Sequence, residues 1–97
     1  MEKPKVGVLM STYNGEKYIK QQIESILGQL EVEIFLYIRD DGSSDLTLNI
    51  IKEFIKKNNN IILYKEDNIG VGNSFMKLIY SVPNIYEFYS FSDQDDI

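Results

Sequence analysis

Four short apolar runs alternate along the chain with three longer stretches in which apolar residues recur every third or fourth position. The runs lie at residues 6–11 (VGVLMS), 34–39 (IFLYIR), 61–64 (IILY) and 86–91 and predict strands, and the near-continuous apolar character of the first suits one covered on both faces. Between the first two, Tyr18, Ile19, Ile23, Ile26, Leu27 and Leu30 predict one helical stripe within residues 16–30. Leu46, Ile50, Ile51, Phe54 and Ile55 predict a second, and Val71, Phe75, Leu78, Ile79 and Val82 a third that Pro83 ends. Ser44 reads as the N-cap of the second helix, with Asp45 near its positive end. Lys56 and Lys57 sit at its negative end, before the asparagines at 58–60 stop it. The resulting order β-α-β-α-β-α-β implies right-handed crossovers and a mainly parallel sheet of about four strands with helices on both faces. The fold class is therefore α/β, a Rossmann-like three-layer α/β/α arrangement, and with no repeat or linker residues 1–97 read as one domain.

In open α/β sheets ligands bind beyond the carboxyl ends of the strands, where loops converge and helix N-termini present free N–H groups. The unusual polar residues gather there. Thr12, Tyr13 and Asn14 follow the first strand, Asp40 and Asp41 the second, Glu66, Asp67 and Asn68 the third, and Asp93, Asp95 and Asp96 the fourth. The connections at the opposite end carry no comparable grouping.

Composition narrows the chemistry. Ten basic against fifteen acidic residues give a net charge of −5, and no stripe of Lys or Arg forms, which argues against a nucleic-acid partner. Cysteine and histidine are both absent, so disulfides, thiolate metal sites and imidazole general bases are excluded. Chemistry here rests on carboxylates, amides, hydroxyls and backbone. The amino-terminal residues lack the apolar core of a signal peptide and no run approaches the ~20 residues of a membrane span, so a cytoplasmic protein is expected.

Asp93 and Asp95, one residue apart at a strand tip, can direct two hard oxygen ligands to one cation. Mg²⁺ or Mn²⁺ so held commonly completes its shell with waters and substrate phosphates. The cation would supply the counter-charge for an anionic ligand in an acidic protein. By itself the pattern also fits a solvated acidic end. Asp40 likewise fits a cap for the following helix, and STYNG an Asn-Gly turn with Tyr13 as a lid. Gly70 and Gly72 do not make a dinucleotide fingerprint, since Phe75 stands where its third glycine belongs and the stretch follows the third strand.

Taken in order, VGVLMSTYNGEKYIKQQIESIL, YIRDDGSSDLTLNII, NIGVGNSF and FYSFSDQDDI resemble the amino-terminal part of a family-two glycosyltransferase of the GT-A fold, over essentially the whole chain. SDQDDI resembles rhamnosyltransferase members in particular. The resemblance implies a truncated GT-A fold that binds a UDP- or dTDP-sugar, with dTDP-rhamnose as one candidate, together with Mn²⁺ or Mg²⁺. Thr12, Tyr13 and Asn14 are expected to line the base pocket, Asp41 to hydrogen-bond the base with Asp40 beside it, and Asn68 and Gly70 to lie close to the nucleotide. Asp93 is expected near the ribose or the metal and Asp95 as the direct metal ligand. Inverting transfer to a glycan or lipid-linked acceptor of cell-surface polysaccharide also needs a general base, which in this family lies in a later segment. The 97 residues are thus expected to contain no catalytic residue, to sit in the cytoplasm, peripheral at the inner membrane face at most, and to self-associate through the exposed edge of the fourth strand. Two positions depart from the family pattern. Arg39 stands where an apolar residue is usual, which implies a disturbed base pocket or a sheet edge, and Asn73 stands where a basic residue is frequent.

Rivals from other classes fit less well. A receiver-like signalling module, or a metal-binding α/β module of that kind, wants its acidic pair after the first strand and a lysine on a fifth. A phosphatase needs its Asp-x-Asp after the first strand, and a nucleotidyltransferase a glycine-rich loop there. A purely structural domain leaves the one-sided polar loops unexplained.

Overall fold

The computed structural model describes residues 3–93. Along the chain run β1 (Lys5–Thr12), α1 (Ile19–Leu27), β2 (Glu33–Asp41), α2 (Thr47–Lys57), β3 (Ile61–Glu66), α3 (Val71–Ser81) and β4 (Phe88–Asp93). All three strand pairings are parallel, in the order β3-β2-β1-β4. Side chains alternate across a strand, so the interior strands β1 and β2 must be apolar on both faces. Val8, Met10, Ile34, Leu36 and Ile38 meet Ile19, Ile23 and Ile26 of α1 and Ile51 of α2 on one face. Leu9 and Tyr37 meet Leu78 of α3 on the other. The three layers expected from the sequence are present.

Strand order also places the opening. The α1 and α2 connections step from β1 to β2 to β3 in one direction, and α3 then returns the chain to the far side of β1. Where the direction of winding reverses, the loops leaving neighbouring strands diverge and leave a crevice at the carboxyl ends. Here that point lies between β1 and β4. Below it, the α3 face of the sheet carries a tyrosine cluster that rests on a glycine. A Cβ at Gly7 would lie 2.8 Å from Tyr86 Cδ2 and 3.2 Å from the Tyr89 ring. The Tyr37 and Tyr86 hydroxyls are hydrogen-bonded, and burial followed by that bond pushes the Tyr37 phenol upward.

The pattern-based boundaries need correction at several points. Helix α1 is shorter than residues 16–30, because the chain leaves the helix at Gly28, and Leu30 is left 79% exposed. Helix α2 begins at Thr47 rather than after Ser44, since the Asp45 carboxylate takes the Thr47 N–H at 2.9 Å and its hydroxyl at 2.5 Å. Leu46 then falls outside the helix and is exposed. On α3 the buried residues are Ser74 and Leu78, while Val71 and Ile79 of the expected stripe are exposed. Strands β2 and β3 each run two residues further than their apolar runs, because pairing continues through Asp40 and Asp41 and through Lys65 and Glu66. Strand β4 spans Phe88–Asp93 rather than 86–91. Arg39 does not mark a sheet edge, for β2 lies between β1 and β3 and Arg39 is 1% exposed.

Candidate functional site

Register brings the strand tips together. Thr12 pairs with Asp40, Asp41 with Glu66, and Ser11 with Asp93, so β1, β2, β3 and β4 end on one rim. Tyr13 and Asn14 follow in the β1–α1 loop and Asn68 and Gly70 in the β3–α3 loop. Thr12 is buried, whereas Tyr13, Asn14, Asn68 and Gly70 are exposed. Asp93 is the last residue of β4, and Asp95 lies outside the described residues. Two open hollows, of about 570 and 690 Å³, lie at the opposite end of the sheet, and no rim residue lines them.

The pleat sends the neighbouring aspartates to opposite faces. Asp40 accepts the Ser43 N–H at 2.9 Å and the Ser43 hydroxyl at 2.6 Å, closing the turn that leaves β2. It caps that turn and not the helix beyond. Gly42 has a φ of +80°, and a Cβ there would stand 3.0 Å from the Asn68 backbone nitrogen, so glycine is required where the two loops touch. Asn14 has a φ of 47°, a left-handed conformation that asparagine tolerates better than most residues. In that pose its side-chain oxygen accepts the Ser44 N–H and its own N–H donates to Ser43 Oγ, both at 2.8 Å. The Gly15 N–H donates to Thr47 Oγ1 at 2.8 Å and the Glu16 N–H to Asp45 Oδ2 at 3.2 Å. Four bonds thus clasp the loop after β1 to the loop after β2. Burial alone would raise the Asp45 carboxyl, but the hydroxyl and N–H of Thr47 and the Glu16 N–H hold it below the usual range.

On the α3 face lies a buried charged network centred on Arg39. Its Nη1 donates to Asp41 Oδ1 at 2.6 Å and to Ser74 Oγ at 2.7 Å, its Nε to Glu66 Oε1 at 3.0 Å, and its Nη2 to the Asp67 carbonyl at 3.1 Å. Ser74 Oγ also shares a 2.6 Å bond with Ser11 Oγ, and Lys77 pairs with the second Glu66 oxygen at 3.0 Å. Asp41 accepts, besides Arg39, the N–H of Ile69 at 2.9 Å and that of Gly70 at 3.1 Å. A carboxylate has about four acceptor positions, so three bonds leave one, on Oδ2. Burial tends to raise the Asp41 carboxyl, but Arg39 and the two N–H groups outweigh it and hold the carboxyl low. Glu66 is lowered too, by Lys77 first and against a smaller opposing effect of burial, with Arg39 adding to it.

Sequence reasoning reached the rim through the polar residues after each strand but missed Arg39, Ser74, Ser43 and Thr47 as the groups that organise it. The one available signal was the charge itself, an arginine at the end of the run IFLYIR.

Comparison with known proteins gives consistent results. The model of glycosyl transferase family 2 matches residues 7–97. A dTDP-rhamnosyl transferase of Shigella flexneri, RfbG, is 45% identical over 92 residues, which cover 91% of this chain and 32% of that protein. A putative glycosyltransferase of Bacillus subtilis, EpsH, is 35% identical over 96 residues, 99% of this chain and 27% of its own length. The chain therefore spans about a third or less of the length of these curated relatives. Among solved structures, TarS of S. aureus in complex with UDP-GlcNAc superposes with a TM-score of 0.77 at 30% identity, over 94% of this chain and 26% of that one. A mannosyltransferase of Pyrobaculum calidifontis, in complex with GDP-Man and Mn²⁺, gives 0.82 at 19% identity over 98% of this chain and 28% of that one, a likeness of fold. The four-stranded α/β fold thus matches that of GT-A glycosyltransferase structures.

Proposed function

The chain belongs to glycosyl transferase family 2, and from that premise we propose that its rim binds the nucleotide-diphosphate sugar donor of an inverting transferase. The observation that carries this reading is the register, which sets Thr12, Asp40, Asp41 and the last residue of β4 along one edge of the sheet, beside the crevice between β1 and β4. In this reading Thr12, Tyr13 and Asn14 line the base pocket. Asp41 uses its remaining acceptor position for a base N–H, Asp40 supports it through the Ser43 turn, and Asn68 and Gly70 close the side of the site. Asp93 and Asp95 are the residues that would hold a divalent cation, Mn²⁺ or Mg²⁺. The backbone fits, since β4 brings Asp93 to the crevice rather than to the far end of the sheet. When bound, the cation neutralises the diphosphate and the charge that develops on the leaving group.

The donor is a dTDP- or UDP-sugar. The 45% identical relative named a dTDP-rhamnosyl transferase supports dTDP-rhamnose, and the TarS complex supports UDP. The acceptor is a glycan or lipid-linked precursor of a cell-surface polysaccharide, used from the cytoplasmic side. Among the described residues no helix is long and apolar enough to cross a membrane. In this reading the general base for the acceptor hydroxyl lies outside the stretch of the family's transferases that these residues match, so they bind donor without transferring sugar.

The test is a titration of the chain with UDP and with dTDP, each with and without Mn²⁺, followed by backbone amide shifts. Cation-dependent shifts at Tyr13, Asp41 and Asp93 are expected, with the tighter nucleotide identifying the base. Metal binding indifferent to both nucleotides would overturn the reading, and turnover of a nucleotide-sugar by the purified chain would overturn the assignment of the base elsewhere.

A further inference from the structure

Residues 67–70, which join β3 to α3, are exposed, and Gly70, with a φ of +92°, has nothing within 4 Å of where a Cβ would stand. Apolar packing therefore does little to hold this loop. Polar bonds hold it instead. The N–H groups of Ile69 and Gly70 end on the Asp41 carboxylate, the Asn68 side chain donates to the Asp41 carbonyl at 3.1 Å, and the Asp67 carbonyl accepts from Arg39. Asn73 adds a bond from α3 to the Ile69 carbonyl. Arg39 is the hub. Four bonds from its five N–H donors reach acceptors on three elements: Asp41 at the tip of β2, Glu66 and Asp67 at the end of β3, and Ser74 on α3.

Stability alone is a weak reason to bury such a group, because well-packed apolar residues often serve as well or better. What an apolar residue lacks is the fork of donors that fixes where Asp41 and the loop stand relative to each other. We propose that Arg39 is a positioning residue for nucleotide-sugar binding, anchoring the 66–70 loop to the tip of β2 so that the site stands preformed before the ligand arrives. The proposal rests on the nucleotide-binding reading of the rim. Affinity rises when the ordering of a loop is completed before binding, so loss of the anchor should weaken the nucleotide although Arg39 itself does not touch it.

The experiment compares the wild-type chain with Arg39→Leu, Arg39→Lys, Asp41→Asn and the double variant Arg39→Leu/Asp41→Asn. Hydrogen exchange is read at the Ile69 and Gly70 amides against amides of β1 and β2, and binding of UDP and dTDP is measured with Mn²⁺. Arg39→Leu is expected to speed exchange at Ile69 and Gly70 selectively and to weaken the preferred nucleotide by about tenfold. Arg39→Lys keeps a cation beside Asp41 but loses the fork, so it should fall between; it also carries the test should the leucine variant fail to fold. In the Asp41→Asn background Arg39→Leu should add less than its loss in the wild-type background, because part of its effect passes through the Asp41 contact. Unchanged exchange at Ile69 and Gly70, exchange that rises only in step with β1 and β2, or a loosened loop with unchanged affinity would each overturn the proposal. A wild-type chain that binds neither nucleotide, while its loop still loosens in Arg39→Leu, overturns it through its premise and is told apart by that loop response.

Discussion

Arg39 and Asp41 are each about 1% exposed, and each is the other's main compensation for leaving water. Removing one partner of a buried pair strands the other, and such losses run to about 3–5 kcal/mol. Asp41→Ala is therefore expected to lower the free energy of unfolding, measured by urea denaturation at pH 7, by about 3 kcal/mol, the low end of that range because Arg39 keeps Glu66, Ser74 and the Asp67 carbonyl. Acid should reveal the same carboxylates. Asp41, Asp45 and Glu66 are all held below their ordinary values in the folded chain. Each binds fewer protons folded than unfolded, so its contribution is complete above the unfolded range and is lost as pH falls through the folded value. The urea midpoint should stay level from pH 7 to about 5 and fall below about pH 4. With no histidine in the chain, imidazole adds no step between pH 5 and 8. Asp45→Asn, which keeps an acceptor for Thr47 but no charge, should flatten the acid fall relative to wild type.

At the scale of elements, the two loops beyond β1 and β2 behave as one unit, because Asn14 bridges Ser43 and Ser44 from a backbone pose that few side chains tolerate. Asn14→Gly keeps the positive φ and loses the side-chain bond, whereas Asn14→Ala loses both. The alanine variant should be the less stable of the two by about 1 kcal/mol, read as a difference in urea midpoint. The elements themselves were legible because each obeys a local rule. Val8, Leu9 and Met10 need cover on both faces, Ile19, Ile23 and Ile26 share one helical side, and polar residues at strand tips mark the open rim of an α/β sheet. What was not legible depends on contacts between distant positions. Ser74 carries no local signal of burial, yet it is buried, and its partner Ser11 lies 63 residues away in the chain and within hydrogen-bond reach in space. Arg39 read as an anomaly, because its acceptors Glu66 and Asp67 lie at the end of a strand whose register no local pattern specifies. The carboxyl end of α1 and the amino end of α2 were misjudged, because Leu30 and Leu46 extend the apolar periodicity beyond the last residue of one helix and ahead of the first of the other.

At the scale of the whole molecule, the element that bears on association is the outer strand β4. Among the described residues this strand pairs with β1 alone, so its outer edge presents unpaired N–H and C=O groups. Phe88 and Phe91 on it are 58% and 57% exposed, and Ile85 just before it 72%. An exposed strand edge with apolar side chains is a template for another strand. A second copy of the chain offers the same edge, and a symmetric antiparallel pairing would satisfy both at once. The isolated chain is therefore expected to form concentration-dependent dimers in sedimentation velocity runs. Phe88→Lys should return it to a monomer, because a charged residue on an edge strand opposes pairing, while leaving nucleotide binding at the rim in place. Phe88 pairs in register with Val6, near the start of β1 and far from Thr12 and Asp93, so loss of nucleotide binding in that variant would mean that the dimer itself completes the site. A wild-type chain that stays strictly monomeric at high concentration would overturn pairing through this edge.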